Sequence, residues 1–508
     1  MNLADRNFLF RVDASSQIGS GHFHRCLTLA RACLSEGARV SFLSRNLPAG
    51  YREVLATSQI KLLNLERCAD EEVVGDLAHS SWLGLSQNED AQECLRLIGL
   101  NKFDWLVVDH YGLDFRWESA VKESAGRILV IDDLADRRHE CDLLLDQNFY
   151  IDSQVRYKKI LNKGAKTLLG PEYALLRREF SELRSNLKRT MGSVSRILVS
   201  FGGVDKGNWT SLVMDALINL GMDEIEVDVV VGLGNGFHKL VREKCIKYGF
   251  NYYFQHDAMG DLMVKADLCI GAGGISVWER CCLGLPSIIM PVSVNQIKQV
   301  HDAGNSKLLL PFSFAESDTG QLQSYILGVI ADFDLRKLIS DNCLACVSGN
   351  GVDKVVNQMI LESIQMRLAS IEDAETMFSW RNHPSTRSVS RAQGPIDKTS
   401  HVNWLNNALR NENRLILIGE LFGEPIGVVR FDIVDKEGEV SIYLNPNKVS
   451  NGFGAALLRK AELFLSNWNS NIKNLTAHVI GSNQKSINLF LKGEYELLSS
   501  TYQKILKK

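Results

Sequence analysis

A histidine stands directly behind a glycine turn in the stretch FRVDASSQIGSGHFHRCLTLARAC, Phe10 to Cys33. Gly19 and Gly21 allow backbone to approach a ligand closely, and the helix expected just beyond them offers unpaired N–H groups to an anion. His22 adds a side chain whose ordinary titration lies near neutrality, which suits a general base. Asp13, at the end of the preceding strand, is a second catalytic candidate, with capping of a turn as its simpler role. No third glycine completes a dinucleotide fingerprint, and the second strand ends FLSRN without the expected acidic residue, which excludes a nicotinamide dehydrogenase.

Two later loops have the same character. SFGGVDKGN places Gly202, Gly203 and Asp205 after a strand, and GAGGISVWER places Gly273, Gly274 and Ser276 before a helix that carries Glu279. Both suit a nucleotide diphosphate held by backbone N–H groups. Asp109, with Asp132 and Asp133, falls at or just past the carboxyl ends of apolar strands, the edge where open α/β sheets bind ligands.

The elements that must position these residues follow from pattern. FLFRVDA, RVSFLSR, DWLVVDHYG and RILVIDDL read as strands rich in Val, Ile and Leu with helices between them, a parallel sheet covered on both faces. A second series, RILVSFGG, IEVDVVVGLG, ADLCIGAGG and LPSIIMPV, starts near residue 195 and closes with the helical DKVVNQMILES. Two doubly wound domains in tandem with a cleft between them describe the glycosyltransferase-B (GT-B) architecture. A third, α+β unit runs from about residue 366. The expected domains are therefore 1–160 and 161–362, both Rossmann-like, and 363–508.

Composition fits three soluble domains. The chain has 508 residues, against roughly 150 per domain. A net charge of −3 leaves no electrostatic footprint for nucleic acid. No apolar run approaches the roughly 20 residues of a membrane span, and the N-terminus lacks a signal-peptide pattern, so no membrane insertion and a cytoplasmic location are expected. The eleven cysteines all precede residue 347, are odd in number and suit a reducing compartment. Cys343 and Cys346 share a helix face, and with no second CxxC or histidine pair beside them no metal site is expected.

The motifs RVDASSQIGSGHFHRCLTLA, VVDHYGLD, IDDLADRRHECDLLLDQN, LLGPEYALLRREF, VSFGGVDKGN and GAGGISVWERCCLGLPSI closely resemble the UDP-2,4-diacetamido-2,4,6-trideoxy-β-L-altropyranose hydrolases of pseudaminic acid biosynthesis, relatives of the MurG-type glycosyltransferases. The resemblance covers residues 8 to about 360. It implies attack of water at the anomeric carbon of a UDP-amino sugar without a metal, with His22 as the catalytic group. It places Glu279 on the ribose, and Ser276 and its glycines on the phosphates. Asn295 and Gln296 match a sugar-contacting position, and Asp13, Asp109 and Tyr111 line the N-terminal side. Arg25, on the same helix as His22, is counted with the substrate-binding residues, and His110 is ranked below His22 as a base.

The third unit resembles the GNAT acetyltransferases through RLASIEDAETMFSWRNHPSTR, GEPIGVVRF and EVSIYLNP. That likeness implies acetyl-CoA as co-substrate, held by Ile442, Leu444, Asn451, Gly452, Gly454, Ala455 and Asn483. Val449 stands where the signature has Arg or Gln, and Phe490 where a tyrosine usually serves as general acid, with Tyr443 or water as substitute donors. Such a domain would N-acetylate the UDP-4-amino sugar in the step before hydrolysis. Two other readings stay open from the residues: a glycosyltransferase using a UDP-amino sugar, and a hydrolase with a non-catalytic GNAT-like domain. The N-terminal domains could also bind a nucleotide sugar without turning it over.

Overall fold

A computed structural model describes residues 3–15, 17–66, 75–222, 224–313, 319–390, 393–448, 452–480 and 483–499. The chain divides into two compact units, 1–356 and 357–508, and the division falls inside the helix Gly351–Glu362.

The first unit holds two parallel sheets. In the first, β1 (Asn7–Val12), β2 (Arg39–Ser44), β3 (Lys61–Asn64), β4 (Phe103–Asp109), β5 (Ala125–Ile131), β6 (Leu143–Asp146) and β7 (Lys166–Leu169) lie in the order β3-β2-β1-β4-β5-β6-β7. β7 pairs with β6, so this sheet extends to Leu169, and the expected boundary at residue 160 is corrected to lie beyond it. β1, β4 and β5 are mostly apolar and buried on both faces, because helices cover both sides of the sheet, while β2 alternates more, with Arg39, Ser41 and Ser44 among its six residues. Phe10 stacks on Phe42 at 5.1 Å, and both are fully buried.

The second sheet contains β8 (Arg196–Ser200), β9 (Glu226–Val231), β10 (Asn251–Phe254), β11 (Leu268–Ala272), β12 (Ser287–Met290) and β13 (Leu310–Pro311), in the order β10-β9-β8-β11-β12-β13. In both sheets the strand order reverses at the first strand, next to β1 and next to β8. The loops that leave the strands there open outward on either side, which is where doubly wound sheets hold ligands. The loops containing Gly19 and Gly21, Gly202 and Gly203, and Gly273 and Gly274 all leave those strands.

The second unit is α+β. β14 (Ile364–Leu368), β15 (Arg414–Leu421), β16 (Glu424–Val434) and β17 (Glu437–Leu444) are antiparallel neighbours, and β18 (Asn474–Ala477) adds on parallel to β17. β15 and β16 are joined through Phe422 and Gly423, both at positive φ, which matches the twist of a tight hairpin. Gly419 and Gly427 let Leu457 of the helix Phe453–Trp468 lie flat on the sheet, since a Cβ at Gly419 would fall 1.9 Å from Leu457 Cδ2. Among the described residues no helix is long and apolar enough to cross a membrane.

Candidate active site

Three glycine loops meet in the first unit. The turn after β1 is closed by Gly19 N–H donating to the Ser15 carbonyl at 2.8 Å, with Gly19 at φ +85°, a conformation that favours glycine. The helix Gly21–Ser35 starts there, and Ser20 makes no side-chain capping bond, so its hydroxyl does not occupy the first-turn N–H groups. A Cβ on Gly21 would stand 3.3 Å from Ile275 Cδ1, and one on Gly203 would stand 3.6 Å from Ser20 Oγ. The loop after β1 is therefore in contact with both loops of the second sheet. Gly232, which sequence reading passed over, lies under them: its Cβ would fall 2.4 Å from Gly203 Cα. The pairing VVVGLG after a strand was the available signal.

His22 lies beside this junction, 8% exposed. Its Nδ1 is 2.6 Å from Asp109 Oδ1 at the end of β4. Arg25, one turn along the helix, donates Nε to Asp109 Oδ2 at 2.6 Å and Nη2 to Oδ1 at 2.7 Å. Burial by itself would raise the Asp109 carboxyl, but Arg25 and His22 hold it far below the usual carboxylate range. A carboxylate only accepts, so Nδ1 of the neutral ring carries the proton and Nε2 keeps its lone pair. Among the described residues nothing hydrogen-bonds Nε2. Tyr111 and Trp82 flank the ring edge-on at 4.6 and 6.1 Å, and Tyr111 and Trp82 stack on each other at 5.4 Å with His79 packed against Trp82. Trp82 and His79 belong to no motif and were not found from sequence.

The remaining candidates sort by what their polar atoms already do. Arg25 is buried and committed to Asp109, so it orients the dyad instead of reaching substrate. Tyr111 donates its hydroxyl to Asp133. Asp13 is corrected from a catalytic to a structural group. Its Oδ2 pairs with Arg11 at 2.8 Å, and its Oδ1 accepts from the N–H groups of Arg45 and Asn46 at 2.7 and 3.1 Å. Fully buried, it pins β1 to the end of β2. His110 accepts from Gly112 N–H on Nδ1 at 3.1 Å and points Nε2 at Asp13 from 3.4 Å, and burial holds it neutral despite that carboxylate. Asp205 is likewise corrected from ligand contact to capping. It accepts from Trp209 N–H, Thr210 N–H and Thr210 Oγ1 at 2.8, 3.0 and 2.6 Å, closing the start of the helix Trp209–Asn219.

Gln296 packs its amide on the Gly273 turn, with Oε1 accepting from Val292 N–H at 3.0 Å. Asn295 is exposed and accepts from Ser293 Oγ at 2.6 Å. Glu279 and Ser276 lie on the helix Ser276–Cys282, directly after Gly273 and Gly274. Burial raises the Glu279 carboxyl, opposed by Arg177, whose Nη2 is 3.7 Å away, and by Arg280.

In the second unit, pairing between β17 and β18 ends at Val440 and Ala477. Beyond it, Ser441–Leu444 has no strand on that side among the described residues, so a wedge opens along Ile442 and Leu444. Gly452, at φ +84°, starts the helix Phe453–Trp468, with Gly454 and Ala455 in its first turn. A Cβ on Gly454 would meet Leu489 and Leu444 only at ordinary distances of 3.7–3.9 Å. Asn483 caps the helix Gln484–Lys492 by accepting from Ser486 N–H at 3.1 Å. Val449 and Asn451 lie outside the described residues. Phe490 is buried edge-on against Tyr495 at 5.0 Å. Tyr443 packs against the buried cluster of Ile416, Ile418 and Val428, on the opposite face of β17 from Leu444 and near Arg381 and Arg430, and burial raises its phenol so that it stays protonated.

Residues 374–493 match the acetyltransferase (GNAT) family model. A protein of Methanocaldococcus jannaschii is 22% identical over 94% of both chains. The UDP-2,4-diacetamido-2,4,6-trideoxy-β-L-altropyranose hydrolase of Campylobacter jejuni is 31% identical over 202 residues, which cover 39% of this chain and 61% of the hydrolase. Among solved structures, MurG of Acinetobacter baumannii superposes with a TM-score of 0.50 over 70% of this chain and 99% of MurG, at 12% identity, a likeness of fold.

Proposed function

We propose that this chain, a GT-B-fold protein with a C-terminal GNAT domain, hydrolyses UDP-2,4-diacetamido-2,4,6-trideoxy-β-L-altropyranose to UDP and the free sugar in pseudaminic acid biosynthesis. The observation that carries the reading is the His22–Asp109 dyad, with an open Nε2, beside the junction of three glycine loops. The 31% identity to the Campylobacter jejuni hydrolase supports the substrate. In this reaction His22 Nε2 takes a proton from water as its oxygen bonds to C1. The C1–O bond breaks, and its electron pair leaves on the β-phosphate of UDP. Asp109 holds the ring and stabilises the imidazolium that forms, and Arg25 keeps Asp109 ionised. The backbone N–H groups of the loops receive the charge that builds on the diphosphate. Glu279 accepts from the ribose hydroxyls, which replace the solvation that burial takes from its carboxylate.

The GNAT domain, in the same proposal, N-acetylates the UDP-4-amino precursor from acetyl-CoA. Pantetheine lies in the wedge along Ile442 and Leu444, and pyrophosphate meets the start of the helix Phe453–Trp468. The amine attacks the thioester carbon, the C–S bond breaks with its electron pair leaving on sulfur, and the proton shed by the nitrogen passes to solvent, from which the tyrosine that protonates the thiolate is restored. Tyr443, kept protonated by burial, supplies a proton to the departing thiolate in place of the absent tyrosine at Phe490. His22→Asn tests the hydrolase reading: UDP release should fall by about 10²–10⁴-fold while UDP binding, measured by calorimetry, stays within a few fold. Full turnover in that variant would remove His22 from the mechanism.

A further inference from the structure

A single line of buried side chains runs from the dyad to the other sheet. Asp109 is bound by Arg25, and Arg25 Nη1 reaches Asp133 Oδ2 at 3.3 Å. Asp133 Oδ2 also accepts from Asn148 Nδ2 at 3.0 Å, while its Oδ1 takes the Tyr111 hydroxyl. Asn148 Oδ1 in turn accepts from Trp278 Nε1 at 2.9 Å. Trp278 is fully buried and Asn148 is 8% exposed. Asn148 follows β6 of the first sheet. Trp278 sits in the helix that begins right after the Gly273–Gly274 turn, and that helix is tied to β11 by Arg280 Nη2 donating to the Ala272 carbonyl at 2.8 Å.

The amide of Asn148 is used at both ends, donor to Asp133 and acceptor from Trp278, so its orientation has no slack. A shift of the Gly273–Ile275 turn moves Trp278, and through Asn148 it changes where Asp133 holds Arg25. Arg25 is what fixes Asp109 under His22. We propose that Asn148 and Trp278 are positioning residues that couple occupancy of the Gly273–Ser276 loop to the aim of His22; the kinetic half of this claim rests on the hydrolase reading above. A misplacement of a catalytic group by about 1 Å can cost on the order of 100-fold in rate, so loosening one link should be visible in turnover.

Trp278→Phe keeps an aromatic side chain but removes the N–H donor together with the five-membered ring that carries it, and Asn148→Ala removes both bonds. Each variant is assayed for UDP release and for UDP affinity by calorimetry. The ring nitrogens of His22 are followed by NMR with 15N-labelled histidine, with and without UDP. The coupling predicts kcat lower by about tenfold with KM and UDP Kd within twofold, and a UDP-induced shift of the His22 signals that is present in the unmodified protein and lost in Trp278→Phe. Unchanged kcat, or a loss that appears only in KM and Kd, overturns it. So does a His22 shift that survives in Trp278→Phe or is missing from the unmodified protein. If the unmodified protein releases no UDP, the hydrolase reading fails, while the NMR arm still decides the coupling.

Discussion

At the scale of single residues, the site depends on one carboxylate that stays charged in a buried place. Asp109 is ionised because Arg25 grips both of its oxygens. Asp109→Asn would leave the buried Arg25 with only Asp133, 3.3 Å from its Nη1, as counter-charge, and the loss approaches the roughly 3–5 kcal/mol of breaking a buried pair. The pH dependence has a definite sign. The folded carboxyl lies below its unfolded value near 3.9, so its stabilisation is full at neutral pH and declines as pH falls below about 4. The stability gap between the unmodified protein and Asp109→Asn, measured by urea unfolding, should narrow by about 1 kcal/mol between pH 7 and pH 3. A gap that widened on acidification would contradict the ionised assignment. His22 was legible in the sequence as a candidate because it follows a glycine turn at a strand end, whereas Asp109 was legible only as lining the substrate side, and its pairing with His22 and Arg25 was not. Nor were the duties of Asp13 and Asp205. Their lone pairs are taken by Arg11, Arg45 and Asn46 and by the start of a helix, and a strand-end aspartate reads the same whether its oxygens face ligand or backbone.

At the scale of elements, the loops work because backbones touch. Gly232 is where this is tightest, and Gly232→Ala should displace the Gly202–Gly203 turn and weaken UDP binding by tenfold or more. Gly236→Ala, where nothing lies within 4 Å of the added carbon, should bind UDP normally. Calorimetry on both variants checks the contrast, and equal affinities would mean that the turn does not meet the nucleotide. The long apolar strands β1, β4, β5, β8 and β11 were readable from composition alone. The short ones were not: β3, β6 and β7 have only four residues each, too few for a period. The wedge beside β17 was equally hidden, since it is defined by where pairing with β18 stops. In that domain Phe490→Tyr asks whether a phenol at this position adds to Tyr443. If thiolate protonation limits the rate, acetylation of a UDP-4-amino sugar should speed up, and an unchanged rate would leave the donor role elsewhere.

At the scale of the whole molecule, the chain joins two units, and a relative aligned over 94% of both chains argues that the joined arrangement is not peculiar to this sequence. The second unit should fold alone, but the cut matters. Glu362 holds Arg459 at 2.6 Å and accepts from Lys460 Nζ on its carbonyl at 2.9 Å, and Leu361 packs near Gly452. A fragment of residues 357–508 should therefore be more stable than one of 363–508 by about 1–3 kcal/mol, and should bind acetyl-CoA. Equal melting of the two fragments would show that these contacts contribute nothing, and no acetyl-CoA binding at millimolar concentration would make the domain a relic. The central claim is cleavage of the sugar C1–O bond by water, and the most direct measurement is mass spectrometry of products formed in 18O-labelled water. The protein is incubated with the UDP-diacetamido sugar, with no acceptor and no acetyl-CoA. The account predicts equal amounts of UDP and free sugar, with the label in the sugar and none in the UDP. Label in the nucleotide product, or no product until an acceptor is added, would contradict it.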